Sequence, residues 1–70
     1  MYNFQLPDNT IIGKRCKEFR RKQGITQLRV SQETNYSIEN ISKFETGKND
    51  NMRILLWYIH MGLTYEDIIL

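Results

Sequence analysis

The sequence has very little cysteine, histidine and proline, with one residue of each among 70. Cys16 has no second cysteine, so an internal disulfide is excluded, and its place on an apolar stripe indicates a small core residue rather than a nucleophile. His60 has no cysteine at metal-ligand spacing, which argues against a zinc site. Pro7 lies in a short lead-in, residues 1–8, which precedes a single domain at 9–70.

Long apolar runs and catalytic motifs are also missing. No stretch of 18 apolar residues is present and the N-terminus lacks a signal-peptide pattern, so we expect a cytoplasmic protein without a membrane span. The sequence contains no glycine-rich phosphate loop and no Ser-His-Asp set, and its acids are scattered. We therefore predict a non-enzyme with no metal, cofactor or small-molecule ligand.

The net charge is only +2, but the charges are unevenly distributed. Between residues 14 and 29 one acid, Glu18, stands against seven basic residues: Lys14, Arg15, Lys17, Arg20, Arg21, Lys22 and Arg29. Such a run suits a molecule that turns one side toward an anionic polymer, and it also fits an ordinary solvated helix face.

Apolar periodicity and capping residues predict an all-α fold of five short helices. Asp8 or Asn9 begins the first helix, which carries Ile12, Cys16 and Phe19 inward and ends at Gly24. The others are a helix of about eight residues from Thr26, one from a Ser37 cap to about Glu45, one over 51–61, and a last helix that Thr64 and Asp67 cap reciprocally.

The second and third helices have the residues that are needed where two short helices cross at a steep angle. Ser31 is small where the helices meet, and Asn35 tolerates the left-handed backbone of a tight turn. Val30, Tyr36, Ile41 and Phe44 are apolar where the pair packs on the rest of the domain. These features describe a helix-turn-helix, whose second helix can enter the DNA major groove.

Residues 12–69 resemble the lambda-repressor-like helix-turn-helix family, also called XRE or Cro-like. The similar stretches are IGKRCKEFRRKQGITQ, SIENISKFETGK and MGLTYEDII. The family typically has an Arg-rich first helix, Gly-aliphatic-Ser/Thr-Gln, an Ile-Ser-Lys-x-Glu-x-Gly end to the recognition helix, and a closing Gly-aliphatic-Ser/Thr-x-x-Glu/Asp. The resemblance implies a DNA-binding domain with a central helix-turn-helix.

The resemblance also implies roles for individual residues. Gln27 would contact a phosphate, Ile38, Glu39, Ser42 and Lys43 would face bases, and Ser37, Asn40 and Lys48 would contact phosphates or base edges. Arg15, Lys17 and Arg21 remain for the DNA backbone, and Arg20 with Glu45 would form an inner structural ion pair. From the residues alone, Ile38 could instead pack inward, and Glu39 could form a surface pair with Lys43.

The predicted fourth helix is apolar on nearly all sides. If this helix faces the core as in the family, Ile54, Trp57, Tyr58 and Met61 point inward. Met52, Leu55, Leu56 and Ile59 then form an apolar surface, here called the outer face. Either a second copy of the chain in a homodimer or another protein covers the outer face, or the small core of the domain encloses most of it. Similarly, residues 1–8 either follow DNA as an arm or pack on this helix.

Three functions fit the sequence. The first is a sequence-specific regulator of transcription, a repressor of the phage or bacterial type, which reads double-stranded DNA at a palindromic operator. The second is a protein-interaction module of the same fold, an antitoxin or anti-repressor partner that binds through helix 51–61. The third is the DNA-binding part of a larger regulator.

Overall fold

Five α-helices form the chain in this computed structural model, which describes residues 7–69. They are α1 (Asn9–Lys22), α2 (Gln27–Thr34), α3 (Ile38–Glu45), α4 (Met52–His60) and α5 (Tyr65–Ile69). No β-strand occurs over 7–69, and the predicted all-α fold of five helices is confirmed. The fourth helix is one residue shorter at each end than predicted, because Asn51 and Met61 are its caps. The predictions on residues 1–6 lie outside the described residues.

The helices begin at side chains that accept hydrogen bonds from the first backbone N–H groups, which have no partner within the helix. The N-cap residues of α1 to α4 are Asp8, Thr26, Ser37 and Asn51. Thr64 and Asp67 form the predicted reciprocal box, since the Thr64 N–H donates to Asp67 Oδ2 at 2.8 Å and the Asp67 N–H to Thr64 Oγ1 at 3.2 Å. The local sequence therefore sets where each helix begins.

Two positions in the left-handed backbone region define the ends of α2 and α3. Asn35, with φ 66°, ends α2 as the sequence predicts, and Ser31 ties this turn by donating its hydroxyl to the carbonyl of Tyr36. Gly47, with φ 79°, follows α3, where the Lys48 N–H donates to the Lys43 carbonyl at 2.8 Å. This backbone pattern is a Schellman motif, which satisfies the last carbonyls of the helix.

The core draws residues from all five helices and from two of the turns. Its buried apolar members are Cys16, Ile25, Val30, Ile41, Phe44, Ile54, Trp57, Tyr58, Leu63 and Ile68. Tyr58 lies at the centre of an aromatic group, stacked with Phe44 and edge-on to Phe19 and Trp57. The inward residues predicted for α1 to α4 are buried or half-buried in this core, whereas Ile25, Leu63 and Ile68 were not predicted.

Gly13 allows α1 to pass very close to the end of α3. A Cβ atom on Gly13 would lie 2.3 Å from the carbonyl oxygen of Phe44 and 2.8 Å from backbone atoms of Glu45. These are backbone atoms, so no side-chain movement relieves the contact. The absence of a side chain at Gly13 therefore fixes how closely α1 and α3 pack, and with it the direction in which α3 projects.

Candidate functional site

The Glu45 carboxylate, at the last residue of α3, is the centre of a buried polar cluster. Arg20 donates to it through two nitrogens, Nε to Oε2 at 2.8 Å and Nη2 to Oε1 at 3.0 Å. Gln27 Nε2 donates to Oε1 at 3.0 Å, and the Tyr58 hydroxyl donates to Oε2. Arg20 Nη1 donates to the Ile25 carbonyl at 2.9 Å. One carboxylate thus ties α3 to α1, α2 and α4, and the expected Arg20–Glu45 ion pair is present.

Burial and hydrogen bonding act in opposite directions on Glu45. Burial alone raises the pKa of a carboxyl group, but the bonds from Arg20, Tyr58 and Gln27 stabilise the ionised form more strongly, so the pKa of Glu45 is lowered. Burial, followed by the charge of Glu45, raises the pKa of the Cys16 thiol to about 12. Cys16 is therefore protonated at neutral pH, as expected of a core residue rather than a nucleophile.

The outward side of α3 carries an exposed ion pair. Lys43 Nζ lies 3.2 Å from Glu39 Oε1, and their side chains are 51% and 76% exposed. Ile38 is 44% exposed, so it does not pack inward as Ile41 does. The surface pair that the residues alone suggested for Glu39 is formed, and none of these three side chains is enclosed by the rest of the protein.

The other polar residues of this helix differ in accessibility. Ser37 is exposed and uses its hydroxyl oxygen to accept from the Asn40 N–H at 3.1 Å. Asn40 and Lys48 are exposed, whereas Ser42 is half-buried. Ser37, Ile38, Glu39, Asn40, Lys43 and Lys48 are thus open to a partner, and Ser42 is only partly so.

Gln27 is half-buried at the start of α2, with its amide directed toward Glu45 rather than free in solvent. The amide NH₂ has two donors and this bond uses one of them, so a phosphate contact through Gln27 stays a prediction. Its interaction with Glu45 was not predicted.

The three residues of α1 predicted to contact the DNA backbone differ in accessibility. Lys17 and Arg21 are exposed, whereas Arg15 is half-buried and its Nη1 lies 3.2 Å from Glu18 Oε1. Lys17 follows Gly13 by four residues and precedes Arg20 by three, so it lies on the side of α1 that contacts α3. Among the exposed basic residues of α1, Lys17 is therefore the one whose position in the helix is nearest to the α3 side.

The outer face of α4 is only partly exposed. Met52, Leu56 and Ile59 are 70%, 55% and 48% exposed, but Leu55 is half-buried and packs against the core. The core therefore wraps one edge of the predicted face. The opposite side of α4 contains Trp57, whose Nε1 donates to Glu33 Oε1 at 3.0 Å and so ties α4 to α2.

Sequence reasoning missed two polar roles, that of buried Tyr58 and that of Glu33, an exposed residue that accepts from buried Trp57. A signal was present for each, because the O–H of a buried tyrosine and the N–H of a buried tryptophan usually find a hydrogen-bond partner. The partner itself could not be chosen from the sequence, because it depends on how α4 crosses α2 and α3.

Comparison with protein-family models, curated proteins and solved structures yields no match for this chain. Over residues 7–69 no helix has the length and apolar character needed to cross a membrane. The same residues contain no group of three or more His, Cys, Asp or Glu side chains that could hold a metal ion.

Proposed function

We propose that the protein is a sequence-specific DNA-binding regulator of transcription, a repressor of the phage or bacterial type, that inserts α3 into the major groove. The observation that carries this proposal is the asymmetry of α3. Ile41, Phe44 and Glu45 are buried and anchor the helix, whereas Ile38, Glu39 and Lys43 are open to solvent on its other side. A rigid helix with a free polar side is what major-groove recognition requires.

The charges around α3 support the same proposal. Exposed Lys17, Arg21 and Lys48 are available for phosphates, and Ile38, Glu39 and Lys43 offer an apolar surface, an acceptor and a donor to base edges. Ser37, Asn40 and Ser42 of the α3 segment and Gln27 at the start of α2 would add polar contacts, and Arg15 a further backbone contact. In this proposal Arg20 is structural, because it is buried against Glu45.

Salt dependence and two matched lysine variants test this proposal. Affinity for duplex DNA should fall steeply as salt rises, because Lys and Arg displace counterions from phosphates. Lys43→Ala should relax base preference, whereas Lys48→Ala should weaken binding to all sequences alike. Both variants remove one exposed lysine, so a difference between them reports position rather than charge. Salt-independent binding, or no binding to duplex DNA, would contradict the proposal.

A second candidate function rests on the exposure of Met52, Leu56 and Ile59. In this alternative the domain is a protein-interaction module, an antitoxin or anti-repressor partner, and the apolar side of α4 contacts the partner protein. Tight binding to a protein that survives Lys43→Ala but not the double variant Leu56→Ala/Ile59→Ala would favour it. Salt-dependent binding to duplex DNA whose base preference is relaxed by Lys43→Ala would favour the regulator.

A further inference from the structure

The Glu39–Lys43 pair supports an inference about base recognition, which rests on the proposed function. We infer that these two side chains act as one unit that reads a single G·C base pair, with Lys43 on the guanine and Glu39 on the cytosine. The pair then sets the operator sequence at one position of each half-site.

The geometry of the pair in the free protein matches this role. Glu39 and Lys43 lie one helical turn apart on α3, both exposed, with Nζ and Oε1 3.2 Å apart. A hydrogen-bond donor and an acceptor are thus held side by side before DNA arrives. An arrangement that is already formed loses less conformational entropy when it binds.

The major-groove edge of a G·C pair has the complementary arrangement. Guanine presents the acceptors N7 and O6, and cytosine presents its N4 amino donor beside O6. N4 and O6 are joined by a base-pair hydrogen bond of about 2.9 Å, close to the separation within the ion pair. An ammonium group has three donors, so Lys43 can donate to N7 and O6 while it stays in its ion pair with Glu39.

An A·T pair fits the same unit less well. Adenine offers only N7 as an acceptor beside its N6 donor, and thymine O4 is flanked by a methyl group. The ammonium therefore finds two neighbouring acceptors on guanine but one on either base of an A·T pair. The Glu39 carboxylate also approaches DNA with its charge balanced by Lys43, which reduces repulsion by the phosphates.

Spacing alone does not single out this pair, because Arg29 and Glu33 on α2 form another exposed pair of the same i,i+4 spacing, with Nε and Oε2 2.7 Å apart. Glu33, however, also accepts from Trp57, so that pair is tied to the fold. The Glu39–Lys43 pair instead lies on the free side of α3, beside exposed Ile38.

Base analogues test the inference without altering the protein. A preferred duplex is first selected with the unmodified protein. Each guanine is then replaced by 7-deazaguanine, which lacks the N7 acceptor, and each cytosine by N4-methylcytosine, which loses the outward N4 donor. At one base pair each replacement should weaken binding by at least about fivefold. The effect of 7-deazaguanine should disappear in Lys43→Ala, and the effect of N4-methylcytosine should disappear in Glu39→Ala.

Glu66→Ala is the matched control, since it removes an exposed acid from α5 and makes the same charge change as Glu39→Ala. It should keep both analogue effects. The inference is overturned if Lys43→Ala and Glu39→Ala abolish the analogue effects at different base pairs. It is also overturned if 7-deazaguanine weakens binding at no position although the protein binds duplexes in a salt-dependent way. In both cases the proposed function stands. If no duplex is bound in a salt-dependent way, both are overturned.

Discussion

At the scale of single residues, the Glu45 carboxylate links the end of α3 to side chains of α1, α2 and α4. Glu45 is 3% exposed, yet it stays ionised because Arg20, Gln27 and Tyr58 donate to its two oxygens. A buried ion pair is weak evidence for stability as such, but loss of one partner leaves an uncompensated charge in the interior. Glu45 therefore holds the end of α3 in one orientation relative to three other helices.

Glu45→Gln should lower the free energy of unfolding by about 3–5 kcal/mol, because the Arg20 guanidinium then remains buried without its counter-charge. Such a loss is comparable with the whole stability of a small domain. Urea denaturation followed by circular dichroism measures it. Glu18→Gln is the control, since the Arg15–Glu18 pair lies at the surface, with side chains 34% and 47% exposed, and is expected to contribute at most about 1 kcal/mol. Equal effects of the two variants would contradict this account of Glu45.

Acid should destabilise the fold through the same carboxylate. The folded-state pKa of Glu45 lies below the ordinary value of 4.5, so its contribution is complete above that pH and is lost as pH falls through the folded-state pKa. Titration followed by carboxyl-carbon NMR should give a pKa for Glu45 below 4.5. The melting temperature should fall over the pH range in which Glu45 becomes protonated. A Glu45 midpoint above 4.5 would mean that burial outweighs the hydrogen bonds.

At the scale of the elements, the contact of α1 with α3 depends on a glycine inside a helix. Alanine usually stabilises a helix relative to glycine by about 1 kcal/mol. Gly13→Ala should nevertheless destabilise the protein by about 1–3 kcal/mol, because the added methyl group meets the backbone of Phe44 and Glu45. Thermal unfolding measures the change. Lys14→Ala, at the neighbouring exposed position, should stay within about 0.5 kcal/mol.

An unchanged or raised melting temperature for Gly13→Ala would show that α1 and α3 do not approach as closely as described. Lys14→Ala shows whether an alanine is tolerated at an exposed position in the same half of α1, so a loss confined to Gly13→Ala is assigned to the contact with α3.

The elements differ in how far the sequence predicts them. Thr26, Asn35, Ser37 and Thr64 act on their immediate neighbours, so local chemistry was enough to find where α2, α3 and α5 begin or end. The inward side of α4 also followed from periodicity. Gly13 and Tyr58 were different, because their roles depend on which helix lies opposite, and that arrangement is a property of the packed molecule.

The residues of the candidate site also differ in how far the sequence predicts their placement. The exposure of Glu39 and Lys43 follows from their positions on a short helix whose other side is apolar. The choice between an inward and an outward Ile38 required the packed structure, because Ile38 lies only three residues before buried Ile41. The hydrogen bond of Gln27 to Glu45 could not be foreseen either, because residues 18 apart in sequence form it.

At the scale of the whole molecule, Met52, Leu56 and Ile59 leave α4 with an apolar surface. We expect two copies to associate through it when the protein binds a palindromic operator. Leu56→Glu should keep the helical circular dichroism spectrum and sediment as a monomer at concentrations at which the unmodified protein is a dimer. Arg53→Glu, at a neighbouring exposed position, should not separate the copies. A strict monomer of the unmodified protein at high concentration would rule out this homodimer.

Selection from a random library of duplex DNA at physiological salt tests the central claim most directly. If α3 enters the major groove and the protein acts as a dimer, the selected duplexes should share a palindromic motif with half-sites about 10 bp apart. Lys43→Ala should lose preference at one position of each half-site. A selection that enriches no motif with the folded protein would contradict the claim that α3 reads DNA.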